Sequence, residues 1–213
     1  MMHSLNETLN SYNLTAKAYA KSVEQFVLQD KLDKFVSQIM QSSSEDFKPY
    51  ILDLGCGSGR DLVELSKRNC KVMGVDFSEE LLDIAKQNMP NAELIKSDMR
   101  TYSSSYDEFD GVWANASLLH IPKNEITDLI SNIYNMLKLK GVLFTSIKEG
   151  VGEEIIEDKR YEGNPRKFFV YYEKNEMEEI LKSAGFQDIE SEYASVDNSY
   201  MTHPFISIFA RKQ

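Results

Sequence analysis

The sequence predicts an α/β domain of three layers, a mostly parallel sheet with helices on both faces. Three observations carry this. Short strand-forming runs alternate with amphipathic helical stretches from residue 50 to 149, the pattern of strand–helix–strand units. The first run, "YILDLG", stops at a glycine turn containing Gly55, Gly57 and Gly59, where tight turns and close approach of another group are allowed. Two further strand-like runs, 186–195 and 205–211, close the chain.

Leu28, Leu32, Phe35, Val36 and Ile39 recur at spacings of three and four, so a helix ends near Met40. A shorter helical piece, Leu14 to Lys21, precedes it. Serine runs at 42–44 and 103–105 read as loops. After the first strand, "RDLVELSKRN" is a helix and "KVMGVD", 71–76, a second strand. "SEELLDIAKQN" follows, with Ser78 as N-cap and Glu80 and Asp83 near the positive end of the helix dipole. "AELIKSD", 92–98, and "FDGVWANAS", 109–117, are the third and fourth strands. Residues 123–138 carry Ile126, Leu129, Ile130, Ile133 and Leu137 on one helical face, and "GVLFTSIKE", 141–149, is the fifth strand. A helix over 174–184 buries Met177, Ile180, Leu181 and Ala184, and Gly185 suits its C′ position. Residues 151–170 interrupt the alternation and read as a charged insertion.

Composition narrows the function. The chain has 213 residues, 42% hydrophobic and 27% charged, which suits one globular domain. No run approaches the roughly 20 apolar residues of a membrane span, and "MMHSLNETLNSYN" is unlike a secretion signal. Cys56 and Cys70 are expected as free thiols in a reducing, cytoplasmic setting. His3, His120 and His203 are scattered, so no metal is expected. A net charge of −10 disfavours a nucleic-acid backbone as partner and favours a small molecule. The expected assembly is a monomer or weak homodimer, away from membranes.

In parallel sheets ligands bind beyond the carboxyl ends of the strands, which is where the glycine turn lies. Two ligand classes compete there. A dinucleotide fingerprint, G-x-G-x-x-G, would need glycine at position 60, where Arg60 stands. Asp76 ends the second strand and can accept ribose hydroxyls of NAD or of another adenosine ligand. Asp98 and Met99 end the third strand and can take an adenine amino group and ring.

"DLGCGSGRD", "VDFS" and "SDM", in this order and spacing, resemble the class I S-adenosylmethionine-dependent methyltransferases. The resemblance is close over 48–150 and looser to the end. It implies a Rossmann-like methyltransferase fold, a seven-stranded, mostly parallel sheet with an antiparallel last strand. It also implies S-adenosyl-L-methionine as cofactor, S-adenosyl-L-homocysteine as product, and in-line methyl transfer to a small-molecule acceptor. By this likeness Asp53 and the Gly55, Cys56, Gly57 and Gly59 backbone face the methionine part. Asp76 holds the ribose, Phe77 packs near adenine, and Ser97, Asp98 and Met99 define the adenine pocket. Ala114 and Asn115 lie under the sulfonium. Residues 1–45 resemble a helical lid presenting Tyr12 and Tyr19, and 46–213 the methyltransferase domain with a substrate cap at 151–170.

Plainer roles stay open: Tyr12 and Tyr19 as helix packing, Cys56 as a small turn residue, Arg60 as a surface residue rather than a partner of the cofactor carboxylate. Should the acceptor need a base, His120, Glu149 and Tyr171 (or Tyr172) are the candidates. Arg160, Arg166 and Lys167 either attract an anionic substrate or form a solvated loop. "NASL" after the fourth strand is unlike the N/D-P-P-Y/F of amino-methylating nucleic-acid enzymes, and no Pro-Cys pair exists for cytosine attack. The rivals are a non-catalytic S-adenosylmethionine-binding module and a nicotinamide oxidoreductase.

Overall fold

The computed structural model describes residues 2–41, 44, 46–194 and 203–213, and side chains from residue 6 onward. Helices α1 (Met2–Val23) and α2 (Gln29–Met40) precede strand β1 (Tyr50–Leu54). There follow α3 (Arg60–Lys67), β2 (Lys71–Asp76), α4 (Glu79–Asn88), β3 (Glu93–Lys96) and β4 (Phe109–Asn115). A short 3₁₀ turn at Leu118–His120 leads to α5 (Lys123–Met136) and β5 (Leu137–Glu149). The chain closes with β6 (Gly152–Glu157), β7 (Arg166–Tyr172), α6 (Lys174–Ser183), β8 (Phe186–Tyr193) and β9 (Phe205–Lys212). The serine loop expected at 42–44 and the end of the run expected over 186–195 lie partly outside the described residues.

Strands β3, β2, β1, β4 and β5 pair in that order, all parallel. Alternation along β1 sends its side chains into two layers. Leu52 and Leu54 join Ile130 and Ile133 of α5 on one face. Ile51 joins Leu32 and Phe35 of α2 and Leu62 of α3 on the other. On that second face Trp113 stacks on Phe144 at 3.9 Å between ring centroids. Ser78 caps α4 as expected, its hydroxyl accepting the Leu81 N–H at 3.3 Å. Strand β9 runs antiparallel to β5, with β8 beyond it, as the likeness implied.

The mostly parallel architecture matches expectation, but among the described residues the sheet has nine strands where seven were expected. The extra pair is the β6–β7 hairpin, built from much of the segment read as a charged insertion. Its outer strand β6 carries Glu153 and Glu154 exposed, as a protected sheet edge should, and those charges hide the strand signal. Only β7 is buried, Phe168, Val170 and Tyr172 pointing into the core. Lys148 of β5 pairs with Phe205 of β9 and also with Tyr171 of β7. Strand β7 therefore takes the edge of β5 that β4 leaves after Asn115, and carries the sheet past the carboxyl ends of its parallel core.

Helix α1 is also longer than the piece expected at Leu14–Lys21. Its buried face is Thr8, Ser11, Thr15 and Ala16, so apolar periodicity misses it. Polar contacts dock it instead. The Phe168 N–H donates to Thr8 Oγ1 at 2.8 Å, and Arg166 pairs with Glu7 at 3.0 Å.

Candidate active site

At the end of β1 the chain turns sharply, the N–H groups of Gly55 and Cys56 both donating to the Val75 carbonyl at 2.7 and 3.0 Å. The glycines differ in what they make room for. At Gly55 (φ +87°) an added Cβ would stand 2.4 Å from Ser117 Cβ; Ser117 itself donates to the Leu54 carbonyl at 2.7 Å. The loop after β4 thus rests directly on the turn. At Gly57 (φ +52°) the nearest atom to such a Cβ is Leu81 Cδ1 at 4.0 Å, so this glycine opens onto space.

That space is a cleft of about 660 Å³, its mouth included, across the ends of β1, β2, β3 and β4. Gly55 and Gly57 form its floor, Asp76 and Phe77 one side, Ser97, Asp98 and Met99 the next, and Asn115 the far end. Tyr12 and Tyr19 reach over it from α1, their rings edge-on at 5.0 Å. All ten were singled out in the sequence. Asp76 accepts the Gly57 N–H at 2.8 Å and the Ser78 N–H at 2.9 Å through separate oxygens. Burial pushes its pKa up to about 6, against those amide bonds. Each oxygen keeps a second lone pair for a ligand hydroxyl. Asp98 is gripped by Arg100, which holds its carboxyl below the ordinary range despite partial burial.

Asp53, Cys56, Gly59 and Ala114 do not line the cleft; they lie beneath or behind it. Asp53 is buried with Oδ2 unbonded. Burial, reinforced by the nearby Asp61 charge, raises its pKa well above the usual carboxylate range. The Cys56 thiol is likewise pushed up by burial, next to Asp76 and Asp53, which fits a turn residue and not a nucleophile. Gly59 starts α3 and packs on Ala85.

A second chamber of about 1120 Å³, mouth included, lies on the α2 side. Tyr12, Tyr19, Asn115, Ala116 and His120 border both spaces. Its own walls are apolar at Phe26, Leu28, Phe169 and Phe205 and cationic at Arg60, Lys148, Arg160 and Lys167. Arg60 is held by Asp61 at 2.7 and 2.9 Å and donates to the Val23 carbonyl at 3.2 Å. It is neither a plain surface residue nor a wall of the first cleft. Arg166 points instead to Glu7.

His120 sits in the shared wall. Its Nδ1 is 2.6 Å from the Phe168 carbonyl, which can only accept, so Nδ1 carries the proton. Nε2 therefore accepts the Tyr12 O–H at 2.9 Å. Burial pushes the histidine down to about 3, against the Phe168 bond and with help from Lys167 and Lys148. It is neutral, its Nε2 lone pair weakened as a base and engaged by Tyr12 at the junction. Glu149 accepts the Tyr193 O–H at 2.9 Å, and Tyr171 packs its ring on His203. Neither borders a chamber, and Tyr172 belongs to the core.

Sequence reasoning gave no role to Asp61, Ala116, Ser117, Ser146 or Lys148. Asp61 accepts from Trp113 Nε1 and Asn115 Nδ2, each at 2.9 Å, as well as from Arg60. Ala116 adopts φ +53°, its N–H held by Ser146 Oγ at 2.8 Å, while that hydroxyl donates to Asn115 Oδ1 at 2.7 Å. The one available signal was "RD" directly after the glycines, a charge pair at a helix start.

Residues 51–141 match the family model described as a methyltransferase domain. The trans-aconitate 2-methyltransferase of Enterobacter sp. strain 638 is 34% identical over 105 residues, 48% of this chain and 40% of that protein. Its namesake from Variovorax paradoxus is 36% identical over 95 residues, 44% of this chain and 36% of that protein. The chain thus matches well under half the length of these two relatives. Among solved structures, the 1,6-didemethyltoxoflavin-N1-methyltransferase of Burkholderia thailandensis, with S-adenosylhomocysteine bound, superposes with TM-score 0.73 at 16% identity, covering 96% of this chain and 87% of that one. A methyltransferase from Methanosarcina mazei gives 0.70 at 19% identity, covering 82% and 96%. Glycine turn, strand-end carboxylates and topology agree with the matched family model: residues 51–141 are similar to a methyltransferase domain, set in a fold shared with solved S-adenosylmethionine-dependent methyltransferases.

Proposed function

We propose that the protein transfers a methyl group from S-adenosyl-L-methionine to a small-molecule acceptor. The observation that carries this is the shared wall: the cleft at the strand ends and a separate chamber meet at Asn115, Ala116 and His120. The cofactor supplies a methyl already activated by its sulfonium charge. The chain's part is to hold and align, and orientation alone is worth roughly 7–11 kcal/mol. In this reading Asp76 accepts both ribose hydroxyls, Met99 and Phe77 flank the adenine, and α1 with Tyr12 and Tyr19 forms the lid that excludes water. Of the base candidates, His120 alone borders both spaces, and a proton taken at Nε2 requires Tyr12 to release that atom. The acceptors named for the relatives, trans-aconitate and 1,6-didemethyltoxoflavin, are small organic molecules, which supports an acceptor of that size. A cytoplasmic setting is consistent with two buried free thiols, Cys56 and Cys70. No helix among the described residues is long and apolar enough to cross a membrane.

Thermal denaturation with S-adenosylhomocysteine and with NADH tests the reading. At 100 times Kd the product should stabilise the fold by about 2.7 kcal/mol, and NADH should not. Equal or greater stabilisation by NADH rejects it. Methyl release on a metabolite panel then separates an enzyme from a binding module.

A further inference from the structure

The chain carries a net charge of −10, yet four of its cations line the second chamber and no Asp or Glu does so among the described residues. Three of the four are paired with carboxylates. Arg60 is gripped by Asp61, and Arg160 and Lys167 share Asp158, at 2.6 and 3.2 Å. Lys148 differs. No hydrogen bond or ion pair holds its ammonium among the described residues; it lies 3.7 Å from the centroid of the Phe169 ring and 6.0 Å from that of Tyr171. An aromatic face attracts a cation but offers no localised negative charge. Lys148 projects from β5 on the same side as Ser146, whose hydroxyl holds Asn115 and Ala116 of the shared wall. Two residues along a strand is about 6–7 Å. Lys148 and Ser146 therefore line the same chamber from neighbouring positions of one strand face.

Resting on the methyl-transfer reading above, we propose that the acceptor is a small organic acid, its carboxylate paired with Lys148 and its apolar frame laid against Phe26, Leu28, Phe169 and Phe205. The one ammonium without a carboxylate partner offers a single pairing site, which suits one carboxylate group. A phosphate dianion would call for further donors, and the other three cations are already committed to carboxylates. The same four positive charges repel a cationic amine. Partial burial makes the lone ammonium costly, and its pKa falls to about 8, with Arg160 adding to the burial effect and Glu154 opposing. A carboxylate relieves that cost, so Lys148 acts as a binding and specificity residue and not in the chemical step.

Ligand-observed NMR can test this with phenylacetate, phenylacetamide and phenethylamine, each with the protein alone and with the protein saturated by S-adenosylhomocysteine. The acid should bind in both cases, and the amide and amine at least tenfold more weakly. Lys148→Met should lower phenylacetate affinity about tenfold while leaving S-adenosylhomocysteine affinity unchanged, which also reports an intact fold. Lys148→Arg should keep most of the acid binding. The proposal fails if amide and acid bind alike, if no acid binding is seen, or if Lys148→Met binds the acid as the parent does. Absence of S-adenosylhomocysteine binding would sink the methyl-transfer reading instead, and the acid arms on the protein alone would still decide the role of Lys148.

Discussion

Replacing Gly55 and Gly57 by alanine, one at a time, separates two reasons for glycine in the same turn. Both positions have positive φ, at +87° and +52°, where a side chain costs about 1–2 kcal/mol. The surroundings then diverge. A Cβ at Gly55 meets Ser117 Cβ at 2.4 Å and Met99 Cε at 3.2 Å; at Gly57 it meets nothing nearer than 4.0 Å. Carbon atoms pack at about 3.5–4.0 Å, so Gly55→Ala demands a shift of more than 1 Å. Ser117 cannot yield that much and keep its bond to the Leu54 carbonyl. Overpacking adds about 1–3 kcal/mol, for a total near 2–5 kcal/mol against about 1–2 for Gly57→Ala. For a chain this long 1 kcal/mol moves Tm by roughly 2–4 °C. Calorimetry should therefore show Gly55→Ala melting clearly below Gly57→Ala. Titration with S-adenosylhomocysteine should show Gly57→Ala as the variant that binds poorly while remaining folded, because its methyl enters the cleft. Equal melting temperatures would refute the steric argument, and unimpaired binding by Gly57→Ala would place the ligand elsewhere.

Asp76→Ala removes an acceptor for two ribose hydroxyls; charged hydrogen bonds contribute roughly 1.5–3 kcal/mol, so calorimetric affinity for S-adenosylhomocysteine should fall at least about tenfold. The hydroxyls favour the ionised carboxylate, and burial raises Asp76 to about 6, so parent affinity should weaken as pH falls through about 6, and a flat profile would contradict the assignment. Asp61→Ala strands the Arg60 guanidinium and the Trp113 N–H, a loss on the order of 3–5 kcal/mol measurable by urea denaturation. Burial opposes ionisation of Asp61 but Arg60 outweighs it and lowers the pKa, so its contribution holds at neutral pH and fades as pH drops through the lowered value. Hydrogen exchange should show S-adenosylhomocysteine protecting residues 10–22 along with the glycine turn; protection confined to the turn, Asp76 and Asp98 would make Tyr12 and Tyr19 packing residues only.

The start of the parallel core was readable because β1 and β2 are short, apolar and closed by a residue with a local job. "YILDLG" ends at Gly55, "KVMGVD" at Asp76, and Asp98 follows the end of β3 by two residues, so ten of the residues lining the cleft could be named from spacing and likeness. What was not readable depends on tertiary neighbours. The burial of Asp61 follows from Trp113 and Asn115 arriving from β4, over 50 positions away. The β6–β7 hairpin hides because half of it is an exposed acidic edge. Glu149 and Tyr171 were plausible bases by position in the chain, but their side chains meet Tyr193 and His203 and not the chambers. Lys148 looked like an ordinary strand end; its isolation exists only once Phe169 and Arg160 are in place.

The docking of α1 on β7 sets an order of events during synthesis. Thr8 bonds the amide of a residue 160 positions later, and Tyr12 meets a histidine that the Phe168 carbonyl holds in one tautomer. A growing chain presents the nucleoside half, through β5, well before residue 168 leaves the ribosome. Until then α1 can meet α4, through the Ser78–Asn13 bond, but Thr8 lacks its strand partner and His120 is free to take either tautomer or a proton. Helix α1, made before the sheet, thus completes its docking only once β7 exists, and a nascent chain displaying the glycine turn and Asp76 still lacks part of its roof.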